Sequence, residues 1–303
     1  MNRLRNLLMQ NPVILKELRS RMRGNRTFVI LTLYLFMLSG IILLTYLGFE
    51  SSNTGGLTLS VRQTLGKTIF GLVTGFQLMT VSFISPALTA GAIASEREQQ
   101  TLDLLRTTLL PARSLVLGKL NTALYFVFLL LFATLPIQSI AFLVGGVTVV
   151  EFVVGTLLVF VSAVAYSATG IFFSSFTRRT LIATVLSYAF TIMLFFGLPF
   201  LILMFTGMFG AGISGSGGAM SDVLTILAGI MLYLMIAVNP VATIIASEII
   251  LLEEQTVVFF MFPITNTVNF PVISPWIVYT LLYTLISLLL IFVSIQFVRR
   301  VES

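Results

Sequence analysis

SEREQQTLDLLRTTLLPARSLVLGK, residues Ser95 to Lys119, is a short charged island between two long apolar segments. Its Glu96, Arg97 and Glu98 are expected to open a helix, where acids suit the positive end of the macrodipole. Leu102, Leu105 and Leu109 then recur at helical spacing, with Asp103 and Arg106 on other faces. Pro111 stops that helix, and Ala112–Arg113–Ser114 turns the chain into the next apolar run. An element of this kind reads as a lever lying at a membrane surface.

The flanks make the surface a bilayer surface. Of the 303 residues 57% are hydrophobic and only 9% charged, and a mean hydropathy of +1.07 excludes an ordinary soluble domain. No charge falls between Arg179 and Asp222, or between Glu254 and Arg299; apolar runs of about 20 residues suffice to cross a bilayer. The spacing predicts spans at about 28–48, 68–94, 120–143, 152–176, 181–206 and 276–298. The expected fold is therefore an all-α polytopic membrane protein.

Charge placement sets the expected topology. With the N-terminus, the 95–119 island, the 177–180 turn and the C-terminus in the cytoplasm, all of the 17 basic residues except Arg62 and Lys67 lie inside. The acids Glu50, Glu151, Asp222, Glu248, Glu253 and Glu254 fall outside. This requires the stretch 223–254, broken at Asn239–Pro240, to enter and leave from the outer side as a re-entrant or interfacial helix pair. Eight spans is the alternative. The stretch FPITNTVNFPVISPW, ending at Trp276, reads as a loop punctuated by proline.

Residues 1–26 hold seven basic residues against one acid, Glu17. Asn11 can cap a helix with Pro12 at its first position, and Leu15, Leu18 and Met22 make a narrow apolar stripe. A basic amphipathic helix of this sort lies in the headgroup region; its partner is anionic lipid rather than nucleic acid.

Ser85 to Leu120, SPALTAGAIASEREQQTLDLLRTTLLPARSLVLGKL, closely resembles the coupling region of ABC-2-type ABC transporter permeases. Asn11 to Arg23, NPVILKELRSRMR, resembles the amphipathic connecting helix of the same family. The two stretches cover less than a fifth of the chain but lie in the family's order. The resemblance implies a connecting helix at 1–26, carrying Glu17 and Arg19, ahead of a single transmembrane domain at 27–303 with its coupling region at 95–119. It implies that Glu96, Arg97, Glu98, Gln99, Gln100, Thr101, Leu102, Leu105, Thr108 and Pro111 meet a separate cytosolic ATPase subunit, which binds the ATP and magnesium. It further implies a second permease chain, identical or not, and an ATP-driven transporter, an exporter, in a bacterial or archaeal plasma membrane.

Catalytic signatures are missing from the sequence. Without histidine or cysteine there is no histidine base and no thiolate or zinc-finger-like cluster. Gly66–Lys67–Thr68 resembles the end of a phosphate loop, but Val61 stands where that loop needs glycine. The chain is thus expected not to be an enzyme and to hold no cofactor or metal. Gln77 and Gln138 are candidate pathway-lining residues, the competing reading being hydrogen bonding between helices. Gly71-x-x-x-Gly75 is expected to pack two helices closely. Glu248 is placed at the outer interface, and Glu253–Glu254 on a solvated face. A secondary transporter without an ATPase, and a non-transporting anchor or sensor for an ATPase, remain the alternatives.

Overall fold

The computed structural model describes residues 25–52, 58–100, 111–213, 219–253, 257–265 and 268–300. The helices are α1 (Asn25–Ser52), α2 (Leu59–Thr89), α3 (Ala94–Glu98), α4 (Ala112–Val144), α5 (Val149–Phe176), α6 (Thr180–Ile192), α7 (Leu198–Ile213), α8 (Ala219–Val238), α9 (Pro240–Glu253) and α10 (Pro275–Arg300). A π-helical turn, Met193–Gly197, joins α6 to α7. Among the described residues six helical segments are long and apolar enough to span a membrane, with α6–α7 as one of them, and α8–α9 form a pair bent by 109°. The chain is an all-α polytopic integral membrane protein.

The observed helices overrun the expected spans at their polar ends. α2 begins at Leu59, nine residues before the apolar run at Thr68, and α4 begins at Ala112 rather than Leu120. Helical hydrogen bonding continues into the interface, where Arg62 and Arg113 are exposed. The 259–273 stretch is not a plain loop. It forms an antiparallel hairpin, β1 (Phe259–Thr265) with β2 (Val268–Ile273), in which Phe259 pairs with Ile273 and Met261 with Pro271. In a two-stranded sheet both strands are edges, which is where Pro263 and Pro271 are tolerated. Trp276 Nε1 donates to the Val257 carbonyl and the Tyr233 hydroxyl to that of Ile273, tying the hairpin to α10 and α8.

α5 is the hub of the bundle. A capping box starts it: the Glu151 N–H donates to Thr148 Oγ1 at 3.2 Å and the Thr148 N–H to Glu151 Oε2 at 2.8 Å. Gly145 and Gly146, both at positive φ, make the sharp turn just before it. The helix then packs on α2, α4, α6 and α10. Between membrane helices lipid supplies no hydrophobic drive, so close packing of small residues has to hold them. α5 supplies these as Gly155, Ser162, Ala163, Ser167, Gly170 and Ser174, all buried. At Gly170 the approach is so close that any side chain would overlap Thr89 of α2.

Contacts along α10 settle how the bent pair runs. The Tyr279 hydroxyl shares a 2.7 Å hydrogen bond with Ser162 near the start of α10, and Phe297 meets Phe172 and Phe176 near its end. α10 therefore runs parallel to α5. α6 follows α5 through a three-residue turn, 177–179, and runs back. The end of α7 and the start of α10 accordingly lie on one side of the bundle, so α8–α9 enters and leaves from that side. Ends on one side exclude a single broken span, and α9, 14 residues long, is too short to cross alone, so the pair is re-entrant.

The tip of that pair is held by an accounting of carbonyls. Pro199 has no N–H, so in the π-helical register the Leu194 carbonyl loses its partner. Leu198 N–H goes to Met193 instead. Asn239 supplies the replacement: its Nδ2 donates to the Leu194 oxygen at 2.6 Å, while its Oδ1 accepts from the Ala242 N–H at 2.8 Å and caps α9. Pro240 takes the first helical position. The Tyr283 hydroxyl donates to the Val238 carbonyl and Thr243 Oγ1 to that of Ile236. Backbone groups freed by a break are thereby satisfied inside the protein, as hydrocarbon requires.

Candidate functional site

The charged junction lies where α2, α4, α5 and α6 end on the basic side of the bundle. Pro86 loosens the last turn of α2, and Ala90–Ile93 bends the chain into the one-turn helix α3. Ser174 receives that bend: its Oγ accepts the N–H groups of Ile93 at 2.9 Å and Ala94 at 3.0 Å, all three residues being buried. Gly91 meets the Thr180 methyl group at the same level.

The three charged residues of α3 then key into three different elements. Glu96 Oε1 forms an ion pair of 2.6 Å with Lys119 Nζ of α4, both side chains mostly shielded. Arg97 Nη1 donates to the Thr177 carbonyl at the end of α5, at 3.4 Å. Glu98 Oε2 accepts from the Thr180 hydroxyl at 2.7 Å and the Thr180 N–H at 3.2 Å, which places a carboxylate at the positive end of α6. Those hydrogen bonds, aided by the Arg179 charge, hold the Glu98 carboxyl below the ordinary glutamate range.

This corrects the reading of the island in two respects. Glu96, Arg97 and Glu98 close a short helix instead of opening a long one, because Gln100 turns left-handed at φ 58° directly after it. Glu96 faces Lys119 of its own chain, not outward, and Glu98, though exposed, is engaged by Thr180. Gln99 and Gln100 are exposed, and so is Pro111, which stands ahead of α4 in an extended conformation. Thr101, Leu102, Leu105 and Thr108 lie outside the described residues, as do Glu17 and Arg19 of the expected connecting helix. Sequence reasoning missed Ser174, Thr177, Thr180 and Lys119 as the anchors. Their signal was topological: the 177–180 turn and the root of the island fall at the same membrane face.

Gln77 and Gln138 are brought together, but not along an open path. Gln138 Nε2 donates to Gln77 Oε1 at 3.0 Å and approaches Thr74 Oγ1 at 3.4 Å, while Gln77 Nε2 donates to Thr134. Both glutamines are essentially inaccessible, at 2% and 1% exposure. They form one buried polar layer between α2 and α4, so the interhelical reading describes them and the pathway-lining reading does not.

On the opposite side Glu248 reaches across from α9 to α2. Its Oε2 lies 3.3 Å from the point where a side chain on Gly71 would begin, whereas Gly75 faces open space. The Gly71-x-x-x-Gly75 pattern therefore makes room for a carboxylate and is not a helix-packing seam. Glu248 is half-buried against α2. The side chains of Glu253 and Glu254 lie outside the described residues.

Chemically, the arrangement offers a mechanical joint. A five-residue helix is linked by hydrogen bonds or an ion pair to the ends of α4, α5 and α6, so a displacement of α3 can be passed to three spanning elements at once. In comparisons with known proteins, no family model matches the chain and no curated protein matches it.

Proposed function

We propose that the chain is the transmembrane permease subunit of an ATP-driven transporter of the ABC-2 type, with the charged junction as its coupling element. The observation that carries this reading is the threefold keying of α3, through Glu96–Lys119, Arg97–Thr177 and Glu98–Thr180. A surface element that must convert movement of an external motor into tilting of membrane helices needs connections of this kind. The resemblance of residues 85–120 to family coupling regions supports the same conclusion.

In this reading all of the 17 basic residues except Arg62 and Lys67 crowd the cytoplasmic face, both termini are cytoplasmic, and a separate ATPase binds ATP and magnesium. Closure of the ATPase pair pushes on 99–111, and α3 relays the push to α4, α5 and α6. Two permease chains, identical or not, enclose the path through which an exported substrate leaves a bacterial or archaeal cell. The chain itself performs no catalysis.

One observation favours a second reading, an ion-coupled secondary transporter. The re-entrant pair is broken at Asn239 inside the bundle and carries the half-buried Glu248, and discontinuous helices of that type hold coupling ions in such transporters. Affinity purification of the tagged chain from gently solubilised native membranes separates the two. A stoichiometric ATPase that is lost when Leu102 and Leu105 are changed to Asp supports the permease. Uptake driven by an ion gradient, with no ATPase retained, supports the porter.

A further inference from the structure

A groove of 510 Å³ runs down the outside of the bundle between the start of α4 and the second half of α10. Its volume is in the range of about 300–1,000 Å³ usual for small-ligand sites. Leu117 of α4 and Leu288, Ile291, Phe292 and Ile295 of α10 form apolar walls. Leu288 and Phe292 are each 61% exposed in the chain alone. Arg113 and Arg299 both line the groove at its basic-side end, and among the described residues no carboxylate lines it. Among the described residues neither guanidinium is in an ion pair.

We propose that this groove is a binding site for one anionic phospholipid. The headgroup phosphate is held between Arg113 and Arg299, and one acyl chain lies along α10 toward Leu288. From Arg299 to Leu288 the helix rises about 16 Å, close to half the hydrocarbon thickness and so the depth of one leaflet. Apolar walls alone would accept any lipid, so the selection is made at the mouth, where two fixed positive charges favour a net negative headgroup over a zwitterionic one. Charge also argues against the chain's own N-terminal segment as occupant. That segment carries seven basic residues and a single acid, Glu17, and the arginines repel it. A second copy docked symmetrically would bring like charges together at the same mouth.

The test equilibrates the full-length tagged chain, on affinity resin, in detergent micelles holding equal phosphatidylglycerol and phosphatidylcholine, and quantifies retained lipid by mass spectrometry. One basic residue beside an anionic lipid is worth about fivefold in binding, so two predict a preference of about thirtyfold. Raising salt to about 0.5 M collapses that preference on the wild type itself, because screening shortens the reach of the arginines. The double variant Arg113→Gln, Arg299→Gln removes the preference while keeping the wild-type melting temperature measured in lipid-free detergent. Equal retention of the two lipids by the wild type overturns the proposal. So does a preference that survives high salt, one that survives in a folded double variant, or crosslinks showing the groove filled by residues 1–26 or by a second copy.

Discussion

Asn239 offers the sharpest test of how the re-entrant pair is held. Replacing it with Ala removes the cap of α9, which costs about 1 kcal/mol. It also strands the Leu194 carbonyl, which Pro199 cannot reach, at a further cost of about 1–3 kcal/mol for a buried unsatisfied group. Relaxation within the bilayer trims the second figure, since measured interhelical hydrogen bonds in membranes average about 0.6 kcal/mol. The expected loss is thus about 2–3 kcal/mol, read from reversible unfolding in mixed micelles of detergent and dodecyl sulfate. Asn239→Ser isolates the second contribution, because serine caps α9 but is too short to reach Leu194. The deciding arm is Pro199→Ala, which returns an N–H at the position that the π-helical register assigns to the Leu194 oxygen. In that background Asn239→Ser should cost about 1 kcal/mol less than in the wild type. Equal costs in the two backgrounds would refute the argument that proline and asparagine share one carbonyl.

Gly170→Val drives a side chain into Thr89 where α2 and α5 touch, and overpacking of this sort should destabilise by about 1–3 kcal/mol in the same unfolding assay; unchanged stability would mean the helices are further apart than described. Gln77→Leu and Gln138→Leu should be non-additive, with a coupling of about 0.6–1.7 kcal/mol, and simple additivity would remove the shared polar layer. Glu98 has its folded pKa lowered, so its stabilising contribution is complete above the ordinary glutamate value of 4.5 and is lost as pH falls through the lowered folded value. The melting temperature of wild type should therefore fall more steeply below about pH 4.5 than that of Glu98→Gln; parallel curves would show that Thr180 does not hold the carboxylate.

The spans were legible because charge-free runs of their length have few other physical outcomes. Their ends were not, since the polar residues at 59–67 and 112–119 look like connection but continue the helix into the interface. Asn239–Pro240 was visible as a break, and the charge asymmetry correctly put both its ends on one side. What held the break was not visible, because it depends on a missing proton on Pro199 and a carbonyl some 45 residues away. The hairpin was hidden by Pro263 and Pro271, which argue against strands everywhere except at edges. The junction shows the same division. Its charged residues stood out in the sequence, but Thr177 and Thr180, which engage Arg97 and Glu98, and Ser174, which receives the Ile93 and Ala94 N–H groups, are ordinary hydroxyl residues about 80 positions distant. Gly71 carried the opposite lesson: a familiar small-residue spacing served a carboxylate instead of a helix.

The central claim, that the junction meets an external motor, is tested most directly by photocrosslinking in native membranes. A photoreactive phenylalanine analogue is placed in turn at positions 99 and 100, which are exposed, and at position 96, which faces Lys119. The account predicts crosslinks from 99 and 100 to a cytosolic ATPase subunit, and from 96 only within the chain. Crosslinks from 99 and 100 that reach lipid or the chain itself, with no ATPase captured, would contradict it.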